Sequence, residues 1–220
     1  MASLRPPFTQ DDLAKLETAR VKLVLYSEEQ YNDQLFATVA KHPELTEWTG
    51  FNITPESVQY QVNADDTLVF AIIDKTKGPD GAFAGTIGFM RTSLPNLSIE
   101  IGPVICLPDF QRTFVTSNAI GILLRYALNT AKDGGLGFRR VQWTTNEENV
   151  ASVRAAERLG FKKEGVLRWN TVLGPEKKGL DAPEERGSGR GRHTVMLAVC
   201  WDDWEDGGRE LVDGVVDRRS

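Results

Sequence analysis

One segment of the chain has the sequence pattern of a strand, followed by a loop and then by the start of a helix. The strand is predicted over 97–107, with an interruption at Gly102-Pro103, because proline cannot donate to a strand ladder. From Val115 onward, apolar residues recur at intervals of three and four, which predicts a long amphipathic helix ended by Gly134-Gly135. A helix N-terminus presents unpaired N–H groups and the positive end of the helix dipole. The segment therefore predicts a site for an anionic ligand.

One acidic residue, Glu100, lies on that predicted strand. Its neighbours Ile99 and Ile101 are apolar, and strand alternation points the Glu100 carboxylate to the face opposite these isoleucines. A carboxylate in this position would attract a cationic group. The alternative is an ordinary surface carboxylate, or one that holds an arginine.

Cysteine and histidine are too sparse to predict a metal centre. Cys106 and Cys200 lie in apolar surroundings and lack the spacing of metal ligands, which indicates buried free thiols in a reducing compartment. His42 and His193 are the only histidines, so a His-rich metal site is not predicted. We therefore expect no metal and a cytoplasmic location.

The composition is typical of a globular domain and excludes fibrous, disordered and membrane-spanning chains. Of 220 residues, 40% are hydrophobic and 26% are charged, with a formal net charge of −5. No stretch approaches the roughly 20 apolar residues that a membrane helix needs, and no signal peptide is visible at the start. The segment 202–220 carries a net charge of −4, which leaves the remainder close to neutral. We expect no nucleic-acid partner, and a solvated, frayed acidic tail.

Periodicity and turn residues predict one domain of strands and helices. The order is a strand, helices, three antiparallel strands, a helix, a strand, a helix and two strands, which is an α+β domain with a mixed sheet. Ser27 and Asn149 are N-cap signals, and Thr54 precedes a proline at the first helical position. The strands are predicted over 20–26, 68–73, 82–90, 97–107, 140–145, 161–173 and 194–201.

Several short motifs give this pattern a family resemblance. They are SerIleGluIleGly (98–102), ProAspPheGlnArgThr (108–113), ThrSerAsnAla (116–119), ArgArgValGlnTrp (139–143), AsnValAlaSer (149–152) and AlaAlaGluArgLeuGlyPheLysLysGluGlyValLeuArg (155–168). In this order and spacing they resemble the GCN5-related N-acetyltransferases (GNAT), and more closely their Rim-type branch, the ribosomal-protein N-acetyltransferase-like enzymes. The resemblance covers about residues 18–204, and its most specific part is the block at 149–168.

The resemblance implies a fold and a co-substrate. The GNAT fold is a mostly antiparallel, splayed central sheet of about seven strands flanked by about four helices. Acetyl-coenzyme A (acetyl-CoA) binds where the fourth and fifth strands splay apart, and in this sequence those strands are 97–107 and 140–145. Unpaired strand amides and carbonyls in such a gap can pair with the pantetheine amides.

The resemblance also implies a set of cofactor-binding residues, with the pyrophosphate on the loop that begins the long helix. Phe114 stands where the family usually has glycine, which allows close approach of backbone to phosphate. Arg112 is expected either to compensate with a charged contact or to be a solvated loop arginine. The expected contacts are Ile105, Cys106, Leu107, Gln111, Arg112, Thr113, Phe114, Val115, Thr116, Asn149, Ser152 and Phe161.

Two catalytic residues follow from the resemblance. Glu100 is the candidate base, because an acid in the family's central strand often removes the amine proton, directly or through water. Ser152 is the candidate acid or thiol-contact residue, since Ala156 stands where many relatives have a tyrosine acid and the Rim-type pattern has Asn-x-x-Ser instead. Ser152 is equally well explained as a serine in the first turn of a helix capped by Asn149. Cys106 is interpreted as a core residue whose backbone amide could hold the acetyl oxygen.

The predicted organisation is an N-terminal extension (1–17), an acetyltransferase domain (18–204) with a mobile insertion (174–192), and an acidic C-terminal tail (205–220). The predicted activity is transfer of the acetyl group of acetyl-CoA to a small-molecule or peptide amine, by direct attack in a ternary complex. The alternative is a degenerate acyl-CoA-binding module without catalysis, which Phe114 and Ala156 favour. A monomer and a homodimer both remain open.

Overall fold

The computed structural model describes residues 8–174 and 176–218, which form a mixed α/β structure around one sheet. Within these residues the sheet has eight strands, in the order β1-β2-β3-β4-β6-β8-β7, and β5 pairs separately with β3. Only β4 and β6 run parallel, so the sheet is mostly antiparallel as predicted. The strands are β1 (Val21–Leu25), β2 (Leu68–Asp74), β3 (Ala82–Ser93), β4 (Ser98–Ile101), β5 (Ile105–Cys106), β6 (Arg140–Asn146), β7 (Lys162–Leu173) and β8 (Arg190–Cys200).

Local cap residues determine where the helices begin. The side chains of Ser27, Thr54, Thr113 and Asn149 each accept a backbone N–H of the first helical turn, which satisfies a group that the helix itself leaves unpaired. The α-helices are α1 (Glu28–Lys41), α2 (Pro55–Asn63), α3 (Phe114–Leu128), α4 (Val150–Glu157), α5 (Trp201–Asp203) and α6 (Arg209–Val216). Short 3₁₀ helices cover Gln10–Lys15, Pro43–Thr46, Pro108–Phe110, Ala131–Asp133 and Glu184–Arg186.

The two faces of the sheet have separate apolar cores. Helix α3 packs on one face, and its buried residues join Ile99, Ile101 and Trp143 in the larger core. On the other face, Leu35 of α1 packs with Ala71 and neighbouring side chains in a smaller core. Side chains on β4 and β6 therefore point either toward α3 or toward the opposite face, as strand alternation requires.

The sheet parts between β4 and β6, where the resemblance implied a splay. The two strands pair from Ser98↔Arg140 to Glu100↔Gln142. Beyond that point, the chain passes through Gly102-Pro103 and continues as β5, which pairs with β3. Strand β6 instead follows β8 as far as Asn146↔Thr194. The predicted single strand over 97–107 is therefore two short strands that serve as one side of a gap.

Segments near both chain ends, from Phe8 and up to Val216, pack against the rest of the domain. In the extension, the Phe8 ring contacts Phe70 and Tyr126 edge-on, with centroid distances of 5.6 and 6.1 Å, and Leu16 is fully buried. The expectation of a solvated, frayed C-terminal tail is wrong for α6, because Val212 and Val216 are buried. The acidic composition concealed the apolar face of this helix, although a spacing of four residues is a helical signal.

The first part of the insertion at 174–192 is fastened to the connection between α1 and α2. The buried Lys177 ammonium donates to the backbone oxygens of Thr46 and Phe51, at 2.6 and 3.2 Å, and lies 3.4 Å from the Thr49 hydroxyl. Burial lowers the pKa of Lys177. We call these two segments, residues 43–53 and the described residues 174 and 176–181, the rim.

Candidate active site

The gap between β5 and β6 exposes backbone groups of Cys106. The Leu107 N–H donates to Ala84 in β3 at 2.9 Å, so strand alternation turns the Cys106 N–H and carbonyl to the other side, toward β6. The Gln111 side-chain amide donates to that carbonyl at 3.1 Å. The Cys106 N–H is then available to a carbonyl oxygen of a ligand placed in the gap.

The N-terminus of α3 lies next to this strand end and presents unpaired donors. Thr113 caps the helix: its hydroxyl donates to the Phe110 carbonyl at 2.6 Å and accepts the Val115 N–H at 3.3 Å. In the described part of the chain, the N–H groups of Phe114 and Thr116 have no hydrogen-bond partner. Such groups, together with the helix dipole, form a site for the negative charge of a phosphate.

The phenylalanine that replaces the family's usual glycine directs its ring toward the protein. The Arg20 guanidinium lies 4.1 Å from the centroid of the Phe114 ring, which also packs against the larger core. Two residues earlier, Arg112 has the left-handed backbone conformation, with φ +59°, and an exposed side chain. The loop thus turns at Arg112, at a cost of about 1 kcal/mol for a residue other than glycine.

The other loop and strand residues that the sequence assigned to the cofactor divide into buried and accessible groups. Ile105 and Leu107 have side chains buried in the smaller core. Their backbone groups are turned toward β3, to which the Leu107 N–H donates, so the structure does not bring these two expected contacts to the gap. Burial raises the pKa of the half-buried Cys106 thiol, and a hydrogen bond with Thr116 opposes this effect. A raised pKa disfavours the thiolate that a covalent acyl-cysteine would need. Val115 is fully buried, and only its backbone belongs to the helix start.

Helix α4 begins beside β6 and presents a serine hydroxyl whose proton is available. Asn149 caps α4 by accepting the Ser152 N–H at 3.1 Å, as its sequence position predicted. The Trp143 indole N–H donates to the Ser152 hydroxyl oxygen at 3.0 Å. The Ser152 oxygen only accepts in this bond, so the hydroxyl can still donate its own proton. No acceptor for that proton exists among the described residues.

Trp143 connects this serine to the core and to the gap. It follows Gln142, the last residue of β6 that pairs with β4. Its ring meets Phe161 edge-on, with a centroid distance of 5.8 Å, and both side chains are buried. Phe161, which the resemblance assigned to the cofactor, therefore lies in the core and supports Trp143. The hydrogen bond from Trp143 to Ser152 joins β6 to α4 and has no signal in the sequence.

Glu100 lies on the opposite face from α3, as its position between two buried isoleucines predicted. Its side chain is only 3% exposed. Nη1 of Arg91 lies 2.8 and 2.7 Å from the two carboxylate oxygens, the Thr144 hydroxyl donates at 2.6 Å, and the Gln142 amide approaches to 3.4 Å. The carboxylate thus holds an arginine, which was one of the alternatives that the sequence left open.

Two arginines near Glu100 were not found by sequence reasoning. Arg91 has φ +51°, in the left-handed region, at an irregularity in the pairing of β3 with β4. Arg192 on β8 has a buried Nε atom without a hydrogen-bond partner. Neither feature has a local sequence signal, because both depend on how separate strands are placed together.

One group of side chains with metal-ligating atoms occurs in the described ranges, at Cys200, Asp202 and Asp203. Asp203 is already engaged, since it pairs with Lys162 and accepts the Cys200 N–H at 3.0 Å. This group is at the end of β8 that pairs with Arg140, away from Arg192. In residues 8–174 and 176–218, no helix combines the length and apolar character needed to cross a membrane.

The parted sheet, the helix start next to the gap and the serine beside it match the arrangement that the resemblance to the acetyltransferases implied. A model of the acetyltransferase (GNAT) domain matches residues 20–162. The chain therefore belongs to the GNAT acetyltransferase family. The family implies the use of acetyl-CoA.

A curated relative and a solved structure agree with this assignment. The uncharacterized N-acetyltransferase YoaA of Bacillus subtilis (strain 168) is 34% identical over 84 residues, which are 38% of this chain and 44% of that protein. The match thus spans less than half of that relative. The crystal structure of a GCN5-related N-acetyltransferase from Brucella melitensis has a TM-score of 0.74 and 27% identity, covering 90% of this chain and 83% of that one.

Two more distant structures share the fold. RimL, a ribosomal L7/L12 alpha-N-protein acetyltransferase, has a TM-score of 0.64 and 19% identity, over 83% of this chain and 91% of that one. The spermidine N-acetyltransferase from Vibrio cholerae, in complex with CoA and spermine, has a TM-score of 0.62 and 12% identity, over 86% and 99%. At these identities the likeness concerns the fold alone.

Proposed function

We propose that the protein transfers the acetyl group of acetyl-CoA to a primary amine by direct attack in a ternary complex. The amine nitrogen forms a bond with the thioester carbonyl carbon, and the bond from that carbon to sulfur breaks. The amine loses one proton to a base, and the CoA thiolate takes up a proton to leave as the thiol. The products are an N-acetylated amine and CoA.

The observation that carries this proposal is the Cys106 N–H facing the gap beyond the last β4–β6 pair. A backbone N–H fixed by strand pairing can stabilise the negative charge that develops on the thioester oxygen. The unpaired N–H groups of Phe114 and Thr116 supply a site for the pyrophosphate. The side-chain amide nitrogen of Asn149, which has no partner within the described residues, supports a pantetheine contact.

Ser152 and Glu100 have different parts in the proposed reaction. The Ser152 hydroxyl is a poor acid, but its available proton can be donated to the developing thiolate as a hydrogen bond. Glu100 is the only acidic residue on β4 and β6. We propose that it accepts the amine proton through water, in addition to holding Arg91.

We further propose that the protein belongs to the Rim-type branch and takes a small-molecule or peptide amine. The Asn149-x-x-Ser152 pattern and the Gln111-Arg112-Thr113 loop support this placement. Two unpaired cysteines suit a reducing compartment such as the cytoplasm.

The test combines binding with turnover. Calorimetry with acetyl-CoA should show saturable binding, and a panel of primary amines should give CoA release with at least one member, with the N-acetylated product identified by mass spectrometry. Binding without any turnover would favour the degenerate binding module. Absence of both would refute the proposal, and an O-acetylated product would refute the assignment of a nitrogen acceptor.

A further inference from the structure

Two arginines and one glutamate share the face of the sheet that lies opposite α3. The Arg91 guanidinium pairs with Glu100, which is hydrogen-bonded to Thr144 on β6. Thr144 is opposite Met196 in β8. Since side chains alternate along a strand, Arg192 lies on the same face as Met196 and Thr144, and therefore as Glu100.

Arg192 is half-buried and lacks a partner. Its Nε atom is buried without a hydrogen bond, and its guanidinium has no ion pair within 8–174 and 176–218. Burial lowers the pKa of Arg192, the positive charge of Arg91 lowers it further, and Glu100 opposes both effects, so the three charges share one neighbourhood. A buried N–H group without a partner is costly, which favours a partner from outside the chain.

Arg91 is accessible from the same side. Its side chain is 56% exposed, and only Nη1 is engaged, by Glu100 and at 3.5 Å by Thr144. The left-handed backbone at Arg91 is unusual for a residue other than glycine. The ion pair with Glu100 and the left-handed backbone conformation together hold the Arg91 guanidinium in place. Its Nε and Nη2 atoms remain available to donate hydrogen bonds to a ligand.

We propose that Arg91 and Arg192 bind a carboxylate of the acceptor, so that the substrates are amines that also carry a carboxylate, such as free amino acids or acidic peptides. Two guanidiniums and one carboxylate have a net charge of +1, which one monoanionic group neutralises. A phosphate dianion would instead leave an excess negative charge. Guanidinium groups suit a carboxylate because their parallel N–H groups match its two oxygens. This proposal rests on the proposed function, because it takes this face as the acceptor side.

The decisive measurement is kcat/KM for matched acceptor pairs that differ in one carboxylate. Suitable pairs are aspartate and asparagine, glutamate and glutamine, and amino acids with their α-carboxamides, each with saturating acetyl-CoA. The wild type should prefer the carboxylate member by at least about tenfold, because a site built for a polar group discriminates strongly against its absence. Arg192→Gln and Arg91→Gln should each reduce that ratio at least about fivefold.

The ratio separates recognition from general damage, because loss of folding or of catalytic rate affects both members of a pair. Arg168→Gln on the neighbouring strand is the matched control, since Arg168 is exposed and outside the cluster, and its ratio should equal that of the wild type. If Arg192→Gln does not fold, the exposed Arg91→Gln still decides the question. A wild-type ratio near one, or a ratio preserved in both variants, would overturn the proposal.

A binding measurement separates this proposal from the proposed function if no amine is acetylated. The probes are N-acetylglycine and N-acetylglycinamide, observed by saturation-transfer NMR with the full chain. If N-acetylglycine binds, N-acetylglycinamide does not, and the binding is lost in Arg192→Gln, the carboxylate site is supported even though the proposed function fails. Equal binding of both probes, no binding of either probe, or unchanged binding in the variant would overturn the carboxylate site.

Discussion

The two sides of the parted sheet are built from different chemical groups. On the side of α3, the candidate donors are mainly backbone N–H groups, at Cys106, Phe114 and Thr116, which strand pairing and helix geometry fix in place. On the opposite side, the candidate groups are charged side chains, Arg91, Glu100 and Arg192, which come from three different strands, β3, β4 and β8.

The difference suggests a division of labour between the two sides. In the proposed function, backbone donors recognise what every reaction of this kind shares, namely a thioester and a pyrophosphate, and they tolerate sequence change because no side chain is required. Side-chain charges can vary without altering the fold, so they are suited to selecting the acceptor. Function therefore depends on the site rather than on the fold.

The largest expected effect comes from displacing the backbone on the α3 side. Gly85 has φ +137°, and a Cβ there would overlap the Ile105 carbonyl oxygen of β5. Gly85→Ala should lower the free energy of unfolding by about 3 kcal/mol and abolish acetyl-CoA binding, because β5 must move. Chemical denaturation and calorimetry measure these effects. Gly78→Ala, at φ +82° with open space around it, is the control and should lower the free energy of unfolding by about 1 kcal/mol. Equal losses of stability in both variants would show that the overlap with Ile105 is not the cause.

The next largest effect is expected on the charged side. Glu100→Gln should reduce kcat/KM for the amine about 100-fold at pH 7, the typical contribution of a positioned base. Thr144→Val removes one donor to the same carboxylate and should have a much smaller effect. The rates of both variants are to be followed from pH 6 to pH 9. If Glu100→Gln keeps the full wild-type rate over that range, Glu100 is not the base.

A smaller effect tests the one side chain that we assign to chemistry on the α3 side. Ser152→Ala should lower kcat about tenfold with the KM for acetyl-CoA nearly unchanged, because the hydrogen bond to the thiolate forms only as the carbon–sulfur bond breaks. Trp143→Phe removes the indole donor that orients Ser152 and should have a weaker effect on kcat. An increase in KM alone would show that Ser152 binds the ground state instead.

The smallest effect concerns Arg112, an exposed charge in a loop of backbone donors. Arg112→Gln should raise the KM for acetyl-CoA about threefold at low salt, with less difference at high salt, because exposed charges are screened. Steady-state kinetics at two ionic strengths measure this, with Arg168→Gln as the control. An unchanged KM at low salt would identify Arg112 as a solvated loop arginine.

The features that the sequence predicted correctly are those with local causes. The caps at Ser27, Thr54 and Asn149 each depend on a contact within four residues, and they begin helices where predicted. The hairpin of β2 with β3 follows from two apolar runs and a turn between them. The gap between β4 and β6 followed from the family resemblance.

The features that escaped prediction depend on distant contacts. The pairing of Arg91 with Glu100 needs the left-handed backbone at Arg91, and no pattern in the sequence indicates that conformation. The burial of α6 depends on Gly121 in α3, where an added Cβ would overlap Val216. The roles of the individual site residues stay predictions until the variants above are measured.

The buried Lys177 ammonium has a consequence for how the sequence of the rim can change. Its contact with Thr46 joins positions 131 residues apart, and the ion pair of Lys178 with Glu47 and the hydrogen bond of Asn52 with Glu176 run between the same two segments. The Lys177 ammonium therefore holds the two segments of the rim together. An insertion or deletion in either segment is tolerated only if this ammonium still reaches its three oxygen atoms. The two segments are consequently constrained to evolve together.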